Sequence, residues 1–282
     1  MSRHRFTQLD VFTATPMLGN PLAVVHDAQG LAEAQMAAFA RWTNLSETTF
    51  LLPPTDAGAD YRVRIFTPGG ELPFAGHPTL GSCSAWLAAG GQARSADEVV
   101  QQCGVGLVRV RRESLAGRTR LAFAAPPLRR SGPVEPALRA RIATSLALSD
   151  AQMERLEWID NGPGWIGALL PDAATVLALK PDFAAMHGLK LGVIGAHPAG
   201  SDCQFEVRAF VPALGVPEDP VTGSLNAGLA QWLIGAGVAP PAYVAAQGAA
   251  LGRAGRVHVQ RIGADVWIGG DVVSVVTGTV TL

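Results

Sequence analysis

The strongest constraint on this chain is that it repeats itself. Val63-Arg64-Ile65-Phe66-Thr67-Pro68 returns as Val207-Arg208-Ala209-Phe210-Val211-Pro212, with Arg64 and Arg208 separated by 144 positions. Each copy is followed by a loop and then by an Ala-rich, Thr-containing segment that ends in Trp-Leu, at Trp86-Leu87 and at Trp232-Leu233. The likeness extends outward in the same order. Gly106-Leu107-Val108-Arg109-Val110 resembles Gly255-Arg256-Val257-His258-Val259, and Asn20-Pro21-Leu22-Ala23-Val24-Val25 loosely mirrors Gly164-Trp165-Ile166-Gly167-Ala168-Leu169. Several matches in one order at nearly one spacing predict two copies of a domain. They divide the chain into residues 1–125 and 126–265, with Pro126-Pro127 at the crossing and residues 266–282 returning to the first half.

Within the first copy, residues 6–12, 22–26, 48–52, 61–66 and 106–112 are short β-favouring runs separated by Gly, Pro or Asp. Helix is predicted over residues 31–43 and over 78–89, which opens with Pro78-Thr79 and closes on Gly90-Gly91. Residues 222–234 repeat the second of these and stop at Gly235. The more polar stretches 135–146 and 149–156 also read as helical. The two later helices carry Ala, Leu and Trp almost all round, which predicts burial on every side. A sheet curled around a central helix satisfies that, and the fold class is α+β.

Composition restricts the partners. With 48% hydrophobic and 16% charged residues the chain is globular. Its 22 basic and 23 acidic residues leave a net charge of −1 and no field to attract nucleic acid or an anionic membrane. Small molecules are the expected partners. Arg109, Arg111 and Arg112 alternate with Val108 and Val110 and read as the solvated face of a strand. Cys83, Cys103 and Cys203 are widely spaced with no Cys-x-x-Cys, so neither a disulfide framework nor a structural metal is expected. No apolar stretch approaches the roughly 18 residues of a membrane span, and the first twelve residues hold no apolar leader core, so a cytoplasmic location is expected.

Two loops precede the two buried helices, residues 69–79 and 214–224. Packing of the copies about a pseudo-twofold axis would bring these loops face to face. Each would offer backbone N–H groups at a helix N-terminus, where about half a positive charge attracts a carboxylate. A cleft that binds a small acid is the expectation. His77 lies nine residues after Pro68 and Asp219 seven after Pro212, a mirrored pair. Taken singly, Asp219, Thr222 and Ser224 also suit helix capping, and His77 suits a neutral histidine hydrogen-bonded near a turn. Glu47 follows Asn44-Leu45-Ser46 and opens an apolar strand, so an Asn-x-x-Glu capping box would have no helix to cap. Partial burial there would raise its pKa toward neutrality, as a group that takes and returns a proton requires.

With these residues in view, the sequence resembles the PhzF (phenazine biosynthesis) family nearly end to end. The motifs that carry the likeness are Gln8-Leu9-Asp10-Val11-Phe12, Gly19-Asn20-Pro21-Leu22-Ala23-Val24, Asn44-Leu45-Ser46-Glu47-Thr48-Thr49-Phe50 and Arg64-Ile65-Phe66-Thr67-Pro68. Glu71-Leu72-Pro73-Phe74-Ala75-Gly76-His77-Pro78-Thr79 and Glu218-Asp219-Pro220-Val221-Thr222-Gly223-Ser224 complete the set. The resemblance implies a diaminopimelate-epimerase-like fold of two pseudo-symmetric, β-barrel-like halves, each wrapped around a central helix, commonly in a homodimer. It implies Glu47 as general acid/base, His77 and Asp219 as groups that orient and polarise the substrate, and Gly76 and Ser224 as contacts to its carboxylate, with Thr222 and Gly223 beside them. It also implies an isomerase without metal or organic cofactor, whose type substrate is trans-2,3-dihydro-3-hydroxyanthranilate. Related epimerases of this fold use two facing thiols. Here the nearest positions hold Ala75 and the Asp219 region, and the three cysteines lie elsewhere. The other readings are an epimerase or racemase of an amino-acid-like substrate, using Glu47 with His77 or Asp219 as second base, and a binder of small acids without catalysis.

Overall fold

In the computed structural model, residues 2–115, 117–212 and 216–282 are described; Leu214 and Gly215, in the second of the two predicted loops, lie outside them. Two compact units emerge, one formed by Met1–Ala124 with Gly269–Leu282, the other by Ala125–Ile268.

The first unit contains β1 (Arg3–Val11), β2 (Asn20–Val25), α1 (Glu33–Thr43), β3 (Glu47–Leu52), β4 (Tyr61–Thr67), β5 (Gly70–Leu72), α2 (Gly76–Ala88), β6 (Glu98–Cys103), β7 (Gly106–Leu115) and β8 (Arg118–Ala124). The second contains β9 (Arg130–Pro133), α3 (Pro136–Leu146), β10 (Arg155–Asp160), β11 (Ile166–Leu169), α4 (Ala173–Ala178), β12 (Leu191–Ala196), β13 (Phe205–Phe210), β14 (Glu218–Asp219), α5 (Gly223–Gly235), β15 (Ala242–Gln247) and β16 (Gly255–Ile262), and most of β17 (Asp265–Gly270). The last strand, β18 (Val272–Thr281), pairs antiparallel with β1 of the first unit.

The repeat in sequence is a repeat in topology. In the first unit β1–β2 is antiparallel, β2–β3 parallel, β3–β4 antiparallel, β4–β6 parallel and β6–β7 antiparallel. In the second, β10–β11, β11–β12, β12–β13, β13–β15 and β15–β16 follow the same succession. The parallel pair β2–β3 needs a crossover, which α1 supplies, and α4 supplies the crossover for β11–β12.

Each unit buries one helix almost completely. In α2, residues 76–83 are all buried, and in α5 every residue from Leu225 to Ala230 is. Such helices approach their sheets closely, and the same relative position is glycine in both. A Cβ on Gly81 would stand 2.5 Å from Leu22 Cδ2, and one on Gly228 would stand 2.5 Å from the Ile159 carbonyl oxygen. The shorter helices cover outer faces. Met36, Phe39 and Ala40 of α1 pack with Phe50 and Phe66, whereas Val176 of α4 joins Phe210, Val193 and Met186.

One predicted helix is absent. Residues 149–156 form a single 3-10 turn at Asp150–Gln152 and then enter β10, where Arg155 and Leu156 pair with Leu169 and Ala168. Its short run of helix formers yields to sheet pairing that buries Leu156 and Ile159. Among the described residues no helix is long and apolar enough to cross a membrane.

Candidate functional site

In the first unit, Asn44 ends α1 in the left-handed conformation (φ 54°), and three residues later Glu47 opens β3. Side chains alternate along a strand, so Glu47 and Thr49 share a face. Thr49 Oγ1 accepts a 2.9 Å hydrogen bond from Ser82 Oγ of α2, which shows that this face looks toward α2. Glu47 accordingly meets the first turn of α2, its Oε2 lying 3.3 Å from His77 Nε2. On the other side of the ring, His77 Nδ1 lies 3.3 Å from the side-chain amide nitrogen of Asn20 in β2.

His77 is 4% exposed. Burial drives its pKa down from 6.5 to about 3, against a hydrogen bond with the Pro21 backbone that favours the charged form. The ring is therefore neutral at ordinary pH, and its 3.3 Å approach to Glu47 is a close polar contact and not an ion pair. The N-cap of α2 is Ala75, which brings no side chain to cap the helix. Glu47, His77 and Gly76 thus meet at a buried helix start with its positive dipole end uncapped.

The second unit builds the start of α5 differently. Thr222 is the N-cap and forms no side-chain cap; its Oγ1 donates instead to Asp219 Oδ2 at 2.5 Å. Gln247 of β15 braces this corner: its Oε1 accepts from the Thr222 backbone N–H at 3.0 Å and from the Asn226 amide at 2.9 Å, and its own amide donates to the Asp219 carbonyl at 3.2 Å. Ser224 Oγ accepts from the Trp165 indole N–H at 3.0 Å, and its carbonyl accepts from the Asn161 amide at 2.8 Å. With its oxygen already accepting, the Ser224 hydroxyl keeps a proton to donate. Gly223 is the first residue of α5, next to Ser224.

Alignment of the helix starts changes one sequence expectation. Gly76 corresponds to Gly223, so His77 corresponds to Ser224, and the residue equivalent to Asp219 is Leu72. The mirrored His77–Asp219 relation does not hold, because the second loop is longer ahead of its short strand.

That short strand carries a feature not anticipated from the sequence. Arg208 clasps Glu218 through Nε–Oε1 at 2.9 Å and a terminal nitrogen to Oε2 at 2.8 Å, both side chains being 6% exposed. Its remaining terminal nitrogen donates to the carbonyls of Val176 and Leu179 beside α4. Arg64 and Glu71 form the same two-pronged pair in the first unit, at 2.7 and 2.6 Å, with Glu33 of α1 as a third partner. Each arginine also lies over a phenylalanine ring, Phe66 at 5.1 Å and Phe210 at 5.0 Å. The fork geometry fixes β14, and with it the residue after Glu218, which is Asp219. The Arg-x-Phe core of the repeat was the available signal for this pair.

Thiol chemistry finds no support. Cys83 and Cys203 are buried, and burial pushes all three thiols above their ordinary range, away from the reactive thiolate. Among the described residues no three His, Cys, Asp or Glu side chains gather as a metal site.

Residues 9–278 match the PhzC-PhzF family model, described as phenazine biosynthesis-like protein. Over 265 residues the chain is 37% identical to antisense-enhancing sequence 1 of Schizosaccharomyces pombe, covering 90% of this chain and 88% of that protein. It is 36% identical over 229 residues to trans-2,3-dihydro-3-hydroxyanthranilate isomerase of Pseudomonas chlororaphis, covering 80% and 78%. A crystal structure of a PhzF-family phenazine biosynthesis protein from Enterococcus faecalis superposes with a TM-score of 0.82 at 25% identity over the full length of both chains. The α+β fold is thus the diaminopimelate-epimerase-like one expected from the sequence. Twin sheets around buried helices, a match across nearly the whole chain and relatives named as isomerases converge on one assignment: the chain belongs to the PhzC-PhzF, phenazine biosynthesis-like family and is an isomerase.

Proposed function

We propose that this isomerase shifts a proton, and with it a double bond, on a small carboxylate-bearing substrate similar to trans-2,3-dihydro-3-hydroxyanthranilate, with Glu47 as the group that moves the proton. The observation that supports this most is the approach of a half-buried Glu47 to a buried, neutral His77 at 3.3 Å beside the uncapped start of α2. An ionised Glu47 accepts from the Nε2–H tautomer of the ring. Once Glu47 has taken a proton from a substrate carbon onto its other oxygen, Oε2 can still accept from Nε2–H, and the ring keeps that hydrogen because its Nδ1 faces the Asn20 amide nitrogen. Both protonation states of the carboxyl therefore keep a partner, and the proton can be returned to a second carbon while electrons move through the double bond between them. Developing negative charge would be met by the dipole end of α2. For Asp219 and Ser224 we propose substrate contacts, with Arg208 and Gln247 holding Asp219 in place.

The test is turnover of trans-2,3-dihydro-3-hydroxyanthranilate in heavy water. Wild type should deliver deuterium to a carbon other than the one that loses its proton, whereas label returning to the same carbon would indicate an epimerase. Glu47→Gln should lose about a hundredfold to ten-thousandfold in kcat, the usual contribution of a positioned acid/base. Undiminished turnover by a folded Glu47→Gln protein would refute the assignment.

A further inference from the structure

The second unit contains a cavity of about 320 Å³ that the proton-transfer reading does not use. Its floor is a row across three strands. Glu206 of β13 stands beside Ala246 of β15, and Ala246 beside Arg256 of β16. Neighbours in such a row share a face, so the small Ala246 leaves a hollow between a carboxylate and a guanidinium. His197, Ser201, Asp202 and Cys203, from the turn joining β12 to β13, also line the cavity, as does Arg253.

Glu206 is the unusual member. It is 3% exposed; its Oε2 lies 3.0 Å from His197 Nε2, while its Oε1 is buried and has no hydrogen-bond partner among the described residues. A carboxylate oxygen left in that state is costly. Burial raises the Glu206 pKa, opposed by His197, Arg256 and Arg208. The fold does not require this arrangement, because the equivalent row of the first unit is Arg62, Gln102 and Leu107. A buried acid with an open oxygen, present in one copy of a repeat and absent from the other, indicates a ligand and not a structural need.

We propose that this cavity binds a small zwitterion, an α-amino acid, with its ammonium on Glu206 Oε1 and its carboxylate on Arg256 and Arg253. The ammonium supplies the donor that Oε1 lacks and compensates its buried charge, and the exposed Asp202, which also lines the cavity, adds a second negative group. The guanidinium of Arg256, which gives one bond to the Gly255 carbonyl at 2.9 Å, presents its fork to the carboxylate. A volume of about 320 Å³ lies at the small end of ligand pockets.

Titration calorimetry of the full chain with glycine, L-alanine, L-serine, L-glutamate and L-arginine, against methylammonium and acetate as half-ligands, tests this. At least one amino acid should bind tenfold or more tighter than either half-ligand. Loss of one charge-assisted contact should weaken binding about tenfold or more, so Glu206→Gln and Arg256→Met should both do so, whereas Glu47→Gln and Asp219→Asn should leave it unchanged. If Glu206→Gln does not fold, Arg256→Met, at an exposed position, decides alone. No binding by any of the amino acids, binding indifferent to Arg256→Met, or binding abolished by Glu47→Gln would each overturn the proposal. None of these outcomes bears on turnover by Glu47.

Discussion

Burying His77 ties the candidate site to pH. The ring's pKa falls from 6.5 to about 3 on folding because burial disfavours the cation. A base whose folded pKa is depressed contributes stability that is fully present above the unfolded value and is lost as pH falls toward the folded one. Between about pH 7 and pH 5 this residue should therefore cost the native state about 2 kcal/mol. Urea unfolding at the two pH values should show that loss in wild type and not in His77→Gln; equal slopes in both proteins would mean that the ring is not held neutral. At this scale the sequence was informative about residue types and silent about distance. Glu47 stood out because a carboxylate opening an apolar strand lacks a structural reason, and His77 because of a mirrored relation to Asp219 that the structure does not keep. Their separation of 3.3 Å depends on β3 running beside β2 and on α2 lying against both, long-range facts carried by no local pattern. Asn20 and Gln247 escaped for the same reason, each being a polar residue whose partner is distant in the chain, whereas the buried Arg208–Glu218 clasp spans ten residues and had a signal in the repeated Arg-x-Phe.

The two central helices were the most legible elements, since apolar residues all round can only mean burial on every side. Their glycines show how tight that burial is. A methyl on Gly228 would press on the Ile159 carbonyl oxygen, a backbone atom that β10 holds in place, whereas a methyl on Gly81 would meet the end of the Leu22 side chain, which can rotate away. Gly228→Ala should destabilise the protein by about 1–3 kcal/mol through overpacking. Gly81→Ala should cost less, since the gain in helix propensity of about 1 kcal/mol is common to both and only at Gly81 can the neighbour it meets move aside. Thermal or urea denaturation of the two variants checks the order, and a Gly228→Ala protein as stable as wild type would show that α5 does not sit so close. The helix misread over residues 149–156 is the converse case. A short stretch with helix-forming residues gave way to strand β10, which pairs with β11 through Leu169 and Ala168 and with β9 on its other side.

In the whole molecule, the first unit is assembled from both ends of the chain. The last strand lies against the first in a register that runs from Arg3 opposite Thr281 to Val11 opposite Val272, with an irregularity after Gln8. Deleting residues 272–282 should strip β1 of that neighbour and destabilise the first unit, lowering its unfolding transition and abolishing turnover through Glu47, while the fold of the second unit persists. Calorimetry with hydrogen exchange would follow the two units separately, and an unshifted first unit would show that β18 is dispensable. By itself the sequence determined that there are two copies and that each is a sheet with a buried helix, because repeats, hydrophobic periodicity and Gly/Pro punctuation are local signals written along the chain, and its motifs carried the family resemblance. Only the tertiary structure decided which residue of one copy answers to which of the other, replacing the His77–Asp219 correspondence with His77–Ser224. It alone also brought Glu47 to a neutral histidine and left one buried oxygen of Glu206, a residue that lines a cavity, without a hydrogen-bond partner among the described residues. Those outcomes depend on strand register and on burial, and both are set by contacts between residues far apart in the chain.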